Sequence, residues 1–147
     1  MRATFDARAA AHELVRCARD GDPDGLVETL YAVVEQGDPV GDHVRPVLAE
    51  LNRVSATAVH DRAAPVTSDT LFGVDLRDED DQRLDVDELS PPTRAAVRAL
   101  LAELNDEPDD VVFQLDLAVR EMDRTIGLAT VRQTLIMTVG LLVWSEA

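Results

Sequence analysis

The stretch Ile126–Trp144, IGLATVRQTLIMTVGLLVW, decides how this chain folds. It is about as long as a membrane span, which takes roughly 20 apolar residues. Arg132 and Gln133 sit inside it, however, and an arginine at mid-span costs roughly 2.5 kcal/mol or more. The uninterrupted apolar part, Leu135–Trp144, is too short to cross. The segment therefore predicts a central helix, apolar on most sides, inside a helical domain. Gly127 and Gly140 would let neighbouring helices approach it closely. A helix apolar on most sides needs cover on most sides. Either the other helices supply it or a second copy does. A homodimer through this C-terminal element is the expected assembly, with Leu135, Val139, Leu142 and Trp144 as its contacts.

Working back from there, Pro108, Asp109 and Asp110 open a further segment. Within it Val111, Phe113, Leu115, Leu117 and Val119 alternate as a strand would, while Val112, Leu115, Val119 and Met122 fit a helix. Acids after a proline complement a helix N-terminus, so a helix is expected. Ser90-Pro91-Pro92 reads as another start with Ser90 as cap, and Asn105 as the stop.

In the first sixty residues, Ala7, Ala10, Ala11, Leu14, Cys17 and Ala18 form one helical stripe. Arg8, His12, Arg16 and Arg19 form the opposite face. Asp22-Pro23 restarts the helix, with Asp22 as cap, and Gly-Asp-Pro-x-Gly recurs from Gly37. Pro46 disfavours helix at Arg45, which places the third helix start at Pro46. The expected helices span roughly 5–20, 23–36, 46–60, 91–104, 108–122 and 124–144. Asp61–Thr70 reads as a loop. Phe72, Val74 and Leu76, then Leu84 and Val86, alternate as a short β-hairpin within about 71–86. The fold class is thus mainly α, a compact bundle of about five to six helices with one hairpin, in a single domain over 1–147.

Composition narrows function. All 14 basic residues are arginine, and they face 29 acids for a net charge of -15. Without lysine there is neither a Schiff-base amine on a side chain nor a phosphate-loop lysine. So acidic a chain repels nucleic acid and anionic lipid, so neither nucleic acid nor membrane is an expected partner. The single cysteine excludes an internal disulfide and a multi-cysteine zinc site. Nothing near the N-terminus resembles a signal peptide, and the expected location is cytoplasmic. The arginine-only basic set, with abundant Ala, Asp, Val and Leu, reads as the codon bias of a GC-rich bacterial genome.

Four features carry possible chemistry. Asp20-Gly21-Asp22-Pro23-Asp24-Gly25 matches the opening of a calcium loop, but Tyr31 stands where the closing glutamate belongs, and a capped helix start explains every residue. Asp78, Glu79, Asp80 and Asp81 are the candidate partner surface; a solvated hairpin tip is the plain alternative. His12, His43 and His60 are too dispersed for a local ligand pair, and Cys17, on an apolar stripe, reads as a buried thiol. The Arg8–Arg19 face reads as internal ion pairs or a grip for an acidic partner. No nucleophile elbow, phosphate loop or dinucleotide fingerprint occurs. The expected function is a non-catalytic, self-associating interaction or accessory module without cofactor or metal. The alternatives are an acidic inhibitor of a basic nucleic-acid-binding protein, akin to antitoxins and immunity proteins, and a metal-dependent enzyme using clustered aspartates.

Overall fold

A computed structural model describes residues 4–65 and 70–147. Among these, six helices follow one another: α1 (Ala7–Asp20), α2 (Pro23–Val34), α3 (Gly41–Ala63), α4 (Pro91–Leu104), α5 (Pro108–Val119) and α6 (Arg124–Glu146). Strands β1 (Leu76–Arg77) and β2 (Arg83–Leu84) lie between α3 and α4 and pair antiparallel, Leu76 with Leu84. The chain is mainly α with one short hairpin, as its patterning predicts.

Short polar caps set several helix starts. Asp6 accepts a hydrogen bond from Ala9 N, Asp22 from Gly25 N and Asp123 from Ile126 N, at 3.0, 3.0 and 2.8 Å. Each satisfies an amide that has no partner inside its own helix. Ser90 occupies the cap position of α4, but its hydroxyl bonds the Thr93 side chain instead of the backbone. The ambiguous Val111–Val119 segment is helical, and it buries Gln114, Leu115 and Ala118.

Three expectations are corrected. First, α3 begins at Gly41, not Pro46, and carries Pro46 inside it. A proline there leaves one carbonyl without its amide partner. The extra turn nonetheless places Val44 in the core beside Val47, Leu48 and Leu51, all of them fully buried. That burial outweighs the local preference. α3 also runs on through Asp61–Ala63, where a loop was expected; residues 66–69 of that loop lie outside the described residues.

Second, the hairpin ladder is shorter than the alternation suggests. Phe72 and Val74 lie outside it. Phe72 instead packs on a small second core of Ala56, Leu100 and Leu104.

Third, the central helix is α3, which packs against all five others. α6 lies to one side and buries a single stripe of Gly127, Thr130, Val131, Thr134, Leu135 and Thr138. Its outer face is bare: Ile136 is 63% and Val143 56% exposed. The reversal has a local cause. The hydroxyls of Thr130 and Thr138 donate to the carbonyls of Ile126 and Thr134, both at 2.8 Å. Their polar groups are satisfied within the helix, so they can pack inward. Ser55 of α3 donates to Thr138 Oγ1 at 2.9 Å across the same seam. Asn52, 1% exposed one turn earlier on α3, has no hydrogen-bond partner for either side-chain atom among the described residues.

Candidate functional site

The acidic run forms the β1–β2 turn and organises itself. Asp78 Oδ1 accepts from Asp80 N and Gln82 N at 2.9 and 2.8 Å. Asp81 takes a left-handed conformation, with φ 59°. Aspartate tolerates that region better than most residues, so it serves the turn where Gly or Asn is more usual. Asp78 is therefore a turn residue first. Glu79, Asp80 and Asp81 are exposed at the tip.

The calcium-like segment is a helix junction. Asp22 caps α2 and is paired by Arg16 at 3.1 Å. The Gly25 amide, and then Arg16, hold its carboxyl below the ordinary aspartate range. Arg16 also grips Glu13 at 2.6 Å, which lowers that carboxyl too. Cys17 lies beneath, 1% exposed. Burial, followed by its hydrogen bond to Glu13, pushes its thiol upward. A thiol held protonated and covered is a poor nucleophile.

The histidines serve three separate places. His43 stacks on Phe5 with ring centroids 3.9 Å apart. His60 lies 3.2 Å from the carbonyl of Leu104 and tilts against Phe72. His12 lines an open cleft of about 670 Å³ between α1, α3 and α6, with Arg8, Arg53, Asp61 and Glu146. Among the described residues, no three His, Cys, Asp or Glu side chains gather closely enough to hold a metal ion. In the basic stripe of α1, Arg16 and Arg19 form ion pairs within the chain, Arg19 with Glu146 of α6.

One clasp had no sequence signal. Asn105, read as a helix stop, also accepts from Phe72 N at 2.8 Å and donates to Phe72 O at 3.1 Å. It fixes the chain leading into the hairpin against the end of α4. Its partner lies 33 positions away in sequence, so no local pattern could reveal it.

An apolar groove lies open between α2 and α6. Leu26 and Leu30 of α2 and Ile136, Val139 and Gly140 of α6 line a groove of about 490 Å³, with Arg132 at its edge. Val27 and Tyr31, also on α2, are 67% and 58% exposed. Of the four expected dimer contacts, Leu135 belongs to the core at 4% exposure, and Val139 and Leu142 are half-buried. Trp144 is exposed and lies beneath the Arg62 guanidinium, 5.5 Å from ring centre to Cζ. The exposed members of this face are Ile136, Gly140 and Val143, which lie between the expected positions. Soluble chains seldom leave large apolar side chains contiguous and open unless something binds there. α6 is also the one helix among the described residues long and apolar enough to cross a membrane by length and composition. No protein family, curated protein or solved structure matches this chain, so its function is read from this geometry alone.

Proposed function

We propose that this chain is a non-catalytic protein-interaction module of the cytoplasm that self-associates through the outer face of α6 and the adjoining face of α2. The observation that carries the reading is the exposure of Ile136 and Val143 on α6 and of Val27 and Tyr31 on α2, all more than half exposed. Covering such side chains is worth about 25 cal/mol per Å² of apolar surface removed from water. A protein surface of similar character is the natural cover. The net charge of -15 argues against nucleic acid or an anionic bilayer as that cover. Gel filtration with light scattering tests the reading: a species of twice the chain mass is expected at tens of micromolar, and a strict monomer removes it.

The exposed acids at the β1–β2 turn favour a second reading, an inhibitor of a basic protein. It predicts capture of strongly basic proteins, weakening with salt as the charges are screened. Capture that ignores salt, or that an Asp80→Asn, Asp81→Asn variant retains in full, removes it.

A further inference from the structure

The threonines on the inner side of α6 are not alike. The hydroxyls of Thr130 and Thr138 donate to carbonyls of their own helix. Thr134 lies between them and is only 2% exposed, yet no described residue hydrogen-bonds its hydroxyl. A covered hydroxyl without a partner is destabilising, so each one calls for a reason.

Thr134 lines a recess of about 200 Å³ between α4, α6 and the strap of residues 72–89 that carries the hairpin. Leu76 and Leu89 close it on the strap side, Ala96 and Val97 on α4, and Met137 on α6. The strap is pinned at two points. Asn105 holds Phe72, and Arg98 donates to Asp87 at 3.1 Å. The recess is therefore walled by anchored elements. It lies on the α4 side of α6, whereas the apolar groove lies on the α2 side, with Ile136 between them.

Size and chemistry select an occupant. A dry cavity of roughly 150 Å³ takes a benzene ring. The recess, at about 200 Å³, has room for one ring with a substituent. Charged residues make up 29% of the chain, but every residue lining the recess is uncharged. An ionised ligand would lose its hydration there and meet no counter-charge. The polar lining is Thr93, Gln133 and Thr134, and of these Thr134 is the buried one. A ligand hydroxyl suits it, because a hydroxyl both donates and accepts.

We infer that this recess is a binding site for a small neutral molecule of single-ring size carrying one hydroxyl. The ring rests on Ala96, Val97 and Met137, and its hydroxyl bonds Thr134. The site is separate from self-association and stands or falls without it.

The test uses the full chain and phenol as the probe, with toluene as the ring without a hydroxyl and benzoate as the charged ring. Of the three methionines, Met137 lines the recess and Met122 packs near Gly127. With methyl-labelled methionine, phenol at up to millimolar concentration is expected to move the Met137 signal saturably and leave Met122 in place. Benzoate is expected to move neither. Thr134→Val removes the hydroxyl at nearly the same volume. It is expected to lower the ratio of phenol to toluene affinity about tenfold, the worth of one buried hydrogen bond. Thr134→Ser, which keeps the hydroxyl, is expected to hold that ratio. A Met137 signal that phenol leaves unmoved removes the site, and this measurement needs no variant. Benzoate binding as tightly as phenol, or a ratio that Thr134→Val leaves unchanged, overturns the assigned chemistry.

Discussion

α3 and α6 are both 23 residues long, and they invert the expected relation between composition and burial. α3 carries six charged residues and Pro46, yet it buries Val44, Val47, Leu48 and Leu51 completely and touches every other helix. α6 holds the most apolar run of the chain, yet it shows Ile136 and Val143 to solvent. Burial follows position among neighbours, not the hydrophobicity of a segment taken alone. α3 has a narrow stripe that its neighbours cover fully. α6 has apolar residues on most sides and neighbours on one. What remains on α6 is an apolar face open to solvent.

The sharpest way to break this contrast is to truncate one residue on each helix. Leu51→Ala is expected to lower stability by about 2–5 kcal/mol, as cavities in closed cores do. Ile136→Ala, measured at a dilution that keeps the chain monomeric, should stay within about 0.5 kcal/mol of wild type. Urea melts of the two variants read the difference. Equal losses would mean that the outer face of α6 is covered within a single copy, and the contrast would be wrong.

A second pair sharpens it along α6 alone. Gly127→Leu forces side chain against Val40 and Met122, and a loss of about 1–3 kcal/mol is expected. Gly140→Ala, with open space around it, should gain about 0.5–1 kcal/mol. If both substitutions move the melting midpoint the same way, the two glycines are not in different surroundings.

The seam between the two helices yields a gain. Asn52 is buried on α3, and its amide nitrogen and oxygen have no partner among the described residues. A buried polar group without a partner costs about 1–3 kcal/mol. Asn52→Leu, similar in volume and apolar, is expected to raise stability by about 1–2 kcal/mol. A clear loss in thermal or urea melts would show that the amide does find partners in solution.

The same contrast explains what the amino-acid pattern could and could not reveal. Helix class and the starts at Asp22 and Pro108 follow from chemistry local to each segment, so they were legible. The hairpin was legible as well, although its ladder was overextended. Pro46 misled because a local penalty was set against burial of Val44, which depends on helices far along the chain. α6 misled because hydropathy treats threonine as polar. Thr130 and Thr138 satisfy their hydroxyls within their own helix, and their packing inward turns Ile136 and Val143 outward. The clasp of Asn105 on Phe72 is long-range and leaves no periodic trace. For the candidate site, the choice of the C-terminal element came from its surplus of apolar residues. Which of them face out depends on the threonines, and so the surplus alone points to Leu135, which lies in the core.

The smallest expected effect concerns how α6 is tied down at its far end. Arg19, from the last turn of α1, pairs with Glu146 and holds that carboxyl below the ordinary glutamate range. A carboxyl whose pKa is lowered by folding contributes stability that is complete above its unfolded value. That contribution is lost as pH falls through the folded value. The window therefore lies at and below the ordinary glutamate range, and neutral pH shows the whole effect. Bulk acidification also relieves repulsion among the 29 acids, which works in the opposite direction, so wild type alone cannot isolate the pair. The difference between wild type and Glu146→Gln can. It should be small, consistent with an exposed ion pair, present at pH 7 and in low salt, and gone once the carboxyl is protonated. A difference that persists unchanged into strong acid would mean that Glu146 acts through packing at the helix end and not through its charge.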